Sequence, residues 1–246
     1  MQTIAVFGAS GGLGLALIEE FLERNPNTQI LAVSRSDCPA MFADHERVQW
    51  QQTELTEQKL QALTERWQQQ NIVLHGVIST IGWLHQLHPE YGDWQPERRI
   101  EQLNEAQLIE YFRTNAILPA LILKAVKPLL PKKEASFVVQ LGAKVGSIGD
   151  NQLGGWYGYR ASKAALNMLY KNAAIEFKRT HKQLCIGVIH PGTTDTELSK
   201  PFQERLPADK LYSAKLSAER ICNVIDNLTP TDSGGFWFWD GESLPW

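Results

Sequence analysis

The stretch Thr3-Ile4-Ala5-Val6-Phe7-Gly8-Ala9-Ser10-Gly11-Gly12-Leu13-Gly14 decides the fold. Its first residues form a β-favouring, almost wholly apolar run. Gly8, Gly12 and Gly14 then break the chain before a helical pattern over 12–25. Glycines let the backbone turn sharply and approach a pyrophosphate, and the helix behind them offers free N–H groups and a positive dipole end. The spacing is GxxxGxG rather than GxGxxG, so its meaning comes from its place between the first strand and the first helix. The ordinary alternative is a tight turn with no ligand.

Outward from this junction the alternation repeats. Strands are predicted at 3–8, 29–34, 47–51, 73–80, 135–141, 184–190 and 235–239, and helices at 12–25, 56–70, 104–130, 156–180 and 217–228. Runs such as Ile186-Gly187-Val188-Ile189 are apolar throughout, the mark of a parallel sheet covered on both faces. The expectation is an α/β fold, a doubly wound Rossmann-type parallel sheet of about seven strands with helices on both faces. No repeat or linker interrupts it, so 1–246 reads as a single domain. Two segments without clear periodicity, 83–100 and 193–212, follow strand C-termini, where open α/β sheets bind ligands.

At 43% hydrophobic and 21% charged, the 246 residues are enough to bury a full core. A net charge of -3 gives no electrostatic reason to expect nucleic acid or an anionic membrane as partner. Cys38, Cys185 and Cys222 are far apart, with no CxxC and no metal-ligand spacing; they read as thiols in a reducing compartment, and no metal is expected. With no basic leader and no long apolar span, a soluble cytoplasmic protein is expected.

Two further places carry chemistry. The second predicted strand ends in Ser34-Arg35, where an NAD site commonly has an acid for the ribose 2′-OH. A hydroxyl and a guanidinium suit a 2′-phosphate, which favours NADP(H) over NAD(H); the alternative is a solvated arginine. Tyr159 and Lys163 are four apart and share one helix face. The ammonium is expected to stabilise the phenolate and lower the tyrosine pKa, as a general acid or base requires. Taken singly, each residue also has a bland reading: an amphipathic helix tyrosine, a solvated lysine.

Together these residues resemble the short-chain dehydrogenase/reductase family over nearly the whole chain. Gly8, Gly12 and Gly14 match its glycine motif, with Phe7 where Thr is usual, and Ser10, Gly11 and Leu13 between them are further candidates to bind the cofactor. Glu54-Leu55 looks like the acidic pair at the adenine pocket. Ser79-Thr80-Ile81-Gly82 stands in place of Asn-Asn-Ala-Gly and keeps Gly82. Asn115 matches the helix asparagine, and Tyr159-Arg160-Ala161-Ser162-Lys163 matches YxxxK. Pro191-Gly192 with Thr194 and Thr196 resembles the loop at the nicotinamide carboxamide. Leu84-His85, Pro96-Glu97-Arg98, Gly154-Gly155-Trp156-Tyr157 and the ending Trp239 to Trp246 are most similar to the C-factor and sniffer-type carbonyl reductase branch. The resemblance implies hydride transfer between NADP(H) and a carbonyl or alcohol, and a homo-oligomer. In that reading Tyr159 is the general acid/base, Lys163 binds the ribose hydroxyls, and Asn115 holds a relay water.

The family's catalytic serine falls on Ala143. Ser147, twelve residues before Tyr159, is the nearest hydroxyl and the candidate replacement; a turn residue is the equal alternative. Trp83, His85, His88 and Trp94 are candidates to line an apolar substrate pocket. Phe236-Trp237-Phe238-Trp239 reads as a last strand buried on both sides, with a subunit interface as one way to cover it. Two rival functions stay open: a nucleotide-binding signalling protein of the C-factor type with little turnover, and a sugar-nucleotide epimerase, for which the short C-terminal portion leaves little room.

Overall fold

The computed structural model describes residues 2–88, 92–204 and 207–246. Seven parallel strands form the central sheet: β1 (Gln2–Phe7), β2 (Thr28–Ser34), β3 (Val48–Gln52), β4 (Gly76–Ser79), β7 (Ser136–Leu141), β8 (Leu184–His190) and β11 (Gly235–Phe238). Their order is β11-β8-β7-β4-β1-β2-β3. The order reverses between β1 and β4, so a crevice opens at their C-terminal ends. All seven predicted strands are present, with ends shifted by at most three residues.

Period-two alternation sorts each strand onto two cores. Ile4 and Val6 of β1 face α1 (Gly12–Arg24) and α7 (Ala214–Asn227), packing with Leu17, Ile18, Ile221 and Ile225. Ala5 and Phe7 face α2 (Glu57–Gln69), α4 (Leu118–Val126) and α5 (Tyr157–Phe177), packing with Leu63, Trp67, Ile122 and Leu166.

Three departures have local causes. The helix predicted over 104–130 runs unbroken as α3 (Glu105–Phe112), one wide π-helical turn over Arg113–Ile117, then α4 and a tight turn at Lys127–Leu129; the departure is the widened turn inside it. Pro119 has no N–H to give the carbonyl four residues back and its ring crowds that carbonyl, so the chain widens there. Helix α7 starts earlier than predicted because the Ser213 hydroxyl accepts from the Leu216 N–H and caps it. The two aperiodic segments hold small elements: a hairpin of β5 (Gln86–His88) and β6 (Gly92–Trp94), and a parallel pair of β9 (Thr193–Thr194) and β10 (Leu211–Tyr212), with α6 (Lys200–Gln203) between.

Within the chain itself Phe236 and Trp237 of β11 are buried, while Phe238 and the following Trp239 are half-buried. Trp237 lies over Gly187 and Gly235, which leave it room, and Trp246 stacks on Phe236 at 5.6 Å. The tail runs back along the outer edge: the Leu244 N–H donates to Phe236 O and the Phe238 N–H to Glu242 O. Among the described residues no helix is long and apolar enough to cross a membrane.

Candidate active site

At the C-terminal ends of β1 and β2 the glycines are of two kinds. Gly8 has φ +83°, and a Cβ there would sit 2.5 Å from Thr80 Oγ1; a Cβ on Gly14 would overlap the Gly8 carbonyl. The fold itself requires these two. Gly11 and Gly12 are exposed, and a Cβ on either would meet nothing closer than 3.5 Å. Their bareness keeps a surface open. Helix α1 begins at Gly12 with no side-chain cap and no acid in its first turn. Its leading N–H groups are therefore left for an anion. A dinucleotide pyrophosphate fits this cradle.

Beside it, Ser34 Oγ donates to Ser10 Oγ at 2.7 Å and accepts from the Ser36 N–H. Arg35 is exposed on the same rim, as is Glu54, while Leu55 is half-buried against the core and Leu13 packs on the α1 side. Pro191 and Gly192 follow β8, and Gly192 has φ +76° under Tyr212 and Trp239. Thr194 is fixed to α7 by a 2.8 Å bond between its Oγ1 and Ser217 Oγ. The Thr196 methyl reaches Gly12, where a Cβ would lie 3.6 Å from it.

Tyr159 and Lys163 lie in the first two turns of α5 and are 6% and 3% exposed. Lys163 Nζ donates to Leu141 O at 3.3 Å and lies 5.7 Å from the Tyr159 ring centroid. Burial pushes the Lys163 ammonium down to about 8. It also raises the Tyr159 hydroxyl well above the usual phenol range, the reverse of the sequence-based expectation, because desolvation outweighs the attraction of a lysine at this distance. Asn115, fully buried in the wide turn, clamps the chain after β4. Its Oδ1 accepts from the Trp83 N–H at 2.7 Å and its Nδ2 donates to Trp83 O at 2.9 Å. Gly82 sits between them: a Cβ there would be 3.5 Å from Lys163 Nζ and 3.8 Å from Asn115 Oδ1. The structure thus brings Asn115, Lys163, Tyr159 and Gly82 to one point.

Several residues quoted above only as parts of motifs take supporting roles that the sequence did not show. Ser162 Oγ accepts from Asn115 Nδ2 at 3.1 Å and donates to Tyr159 O at 2.9 Å, tying the clamp to α5. Glu97 caps α5 from a distance: its Oε2 accepts from the Gly158 N–H at 3.2 Å, while its main-chain carbonyl accepts from Trp156 N–H. Trp156, with φ +50°, offers no side-chain cap itself. Pro96-Glu97-Arg98 stood out only as a mark of resemblance; the Glu97 capping contact spans 61 residues, so no local pattern reveals it.

Ala143 packs with Tyr159, Tyr111 and Leu84 in an apolar cluster. Ser147 is buried just beyond, and its Oγ accepts from the Asp150 N–H at 3.0 Å. Trp83, Val145, Trp156, Leu198 and Phe202 close around the cluster. Trp94 meets Trp83 edge-on at 5.7 Å. His85 Nε2 lies 3.2 Å from both Glu197 O and Leu198 O and its ring packs on Phe202, holding the 83–100 and 193–212 segments together. The side chain of His88 lies outside the described residues. A cavity of about 440 Å³ between α7 and the end of β11 holds none of the predicted site residues.

A family model described as short chain dehydrogenase matches residues 2–207. The 1-hydroxy-2-glutathionyl-2-methyl-3-butene dehydrogenase of Rhodococcus sp. is 28% identical over 247 residues, covering all of both chains. The C-signal protein of Myxococcus xanthus is 30% identical over 141 residues, 57% of this chain and 80% of that one. Among solved structures, the carbonyl reductase Sniffer of D. melanogaster superposes with a TM-score of 0.85 at 22% identity, covering all of both chains. An NADPH-bound carbonyl reductase from chicken fatty liver superposes at 0.83 with 22% identity, over all of this chain and 94% of that one.

Proposed function

The chain belongs to the short-chain dehydrogenase family, and on that premise we propose that it transfers hydride between NADP(H) and a carbonyl or alcohol substrate. The observation that carries this reading is the convergence of Asn115, Tyr159, Lys163 and Gly82 on one buried point beside an uncapped, glycine-bare helix N-terminus. When bound, the nicotinamide supplies or accepts the hydride. Tyr159 protonates the carbonyl oxygen in reduction and takes the alcohol proton in oxidation. Tyr159 is a phenol at neutral pH, the state that protonates a carbonyl oxygen, and burial raises its pKa further, so alcohol oxidation, which needs the phenolate, is expected to speed up as pH rises. Lys163 supports the developing phenolate and faces the ribose hydroxyls, and Asn115 holds the Gly82–Trp83 backbone in place. Ser10, Ser34 and Arg35 form a rim suited to a 2′-phosphate, which is our reason for favouring NADP(H).

The test is NADPH and NADH oxidation over a panel of aldehydes, ketones and quinones. Tyr159→Phe is expected to lower kcat about 10³-fold with NADPH binding retained. Arg35→Ala is expected to raise the KM for NADPH about tenfold and leave that for NADH unchanged. Tight NADPH binding without turnover on any panel member would overturn the oxidoreductase reading in favour of a signalling role. We also propose a homo-oligomer, because Ile109, Ile117, Met168 and Ile175 are exposed on α3, the wide turn and α5; a monomer mass by light scattering would refute it.

A further inference from the structure

Within the Tyr159 cluster, most polar hydrogens of the described residues have a place to go. The Tyr111 hydroxyl donates to Leu84 O at 2.7 Å. Position 143 offers only a methyl, and it is buried against the cluster. The indole Nε1 of Trp83 differs: it is shielded from solvent and meets no hydrogen-bond acceptor. A buried donor without an acceptor is costly, and such groups persist where a bound molecule completes them.

Trp83 is also firmly held. Both of its backbone polar groups are bonded to Asn115, at 2.7 and 2.9 Å. Its ring lies 4.7 Å from that of Tyr111, which is 6.1 Å from the ring of Tyr159. The same asparagine is tied through Ser162 to the main chain of Tyr159. The backbones of Trp83 and Tyr159 are therefore tied to one framework, and their rings form the two ends of one chain of contacts through Tyr111, before any ligand arrives.

We infer that the Trp83 indole N–H is a second hydrogen-bond donor to the substrate's carbonyl oxygen, acting beside Tyr159. The inference rests on the carbonyl reading above. A carbonyl oxygen has two lone pairs, and Tyr159 meets one. As hydride adds to the carbonyl carbon, the C=O π pair moves onto oxygen and takes up the Tyr159 proton. Trp83 keeps its own proton and bonds the oxygen throughout, more strongly as negative charge builds. The rings of Trp83, Tyr111, Trp156 and Phe202 that wall this point suit a flat aryl aldehyde or ketone.

Trp83→Phe keeps an aromatic ring and removes the donor. With the aryl carbonyl that the wild type turns over fastest, it is expected to lower kcat about 10²-fold, with NADPH Kd and Tm near those of the wild type. A kcat within threefold, or a loss carried by NADPH Kd, overturns the assignment. The second readout needs no turnover. In the NADP⁺ complex, saturating acetophenone is expected to move the Trp83 indole ¹H resonance downfield, the signal being identified by its absence in Trp83→Phe. An unmoved signal overturns the assignment. A wild type that reduces no carbonyl while the signal still moves upholds the donor and sinks the oxidoreductase reading.

Discussion

Lys163 is held in the fold at a cost in stability. Its ammonium is almost wholly buried, with Leu141 O as its hydrogen-bond partner among the described residues. Burial lowers its pKa from 10.5 to about 8. The folded state therefore binds this proton less tightly than the unfolded state does. Below about pH 8 both states are protonated and the full cost, roughly 3 kcal/mol, applies. Between about pH 8 and 10.5 only the folded lysine loses its proton, and the cost fades. Lys163→Met is thus expected to raise Tm at pH 7 while abolishing turnover, with the gain shrinking by pH 10. A gain that stays constant over this range in thermal melts would contradict the account. The spacing of Tyr159 and Lys163 was legible in the sequence, because helix geometry is local. The direction of the Tyr159 shift was not, because desolvation depends on Ala143, Tyr111 and Leu84, which come from other parts of the chain.

At the scale of elements, the glycine turn separates into residues that the fold needs and residues that a ligand needs. Gly14→Ala forces a Cβ into the Gly8 carbonyl and is expected to destabilise the protein by about 2 kcal/mol or more. Gly12→Ala makes only an ordinary van der Waals contact with the Thr196 methyl, so it is expected to leave Tm within a degree or two while weakening NADPH binding. Equal effects of the two substitutions on Tm and on cofactor titration would refute the division. The central strands could be read because both faces of the sheet are covered there and runs such as Ile186–Ile189 are apolar, while the edge strand β3 shows itself by the alternation of Val48 and Trp50 with glutamines. The long α3–α4 helix was legible, but its widening at Arg113–Ile117 was not read, although Pro119 acts on a carbonyl one turn behind it. The β5–β6 and β9–β10 pairs escaped because strands of two or three residues have no periodicity to detect.

For the whole molecule, two cores on opposite faces of one sheet leave the sheet edges as the exposed parts. The β11 edge is sealed by the tail through Leu244, Glu242 and Trp246. Removing residues 240–246 is expected to uncover Phe236 and unpaired edge groups, lowering Tm and promoting aggregation. A truncated protein that stays disperse by light scattering, with wild-type Tm, would contradict this. The roof over the site has a different consequence. Leu198 and Phe202 close over Tyr159, and His85 bridges the two segments that form this cover. Admission of a substrate then has its own clock. Where lifting of this cover limits admission, kcat/KM for the best substrates is expected to fall in proportion to added solvent viscosity, because friction and not bond-making then sets the pace.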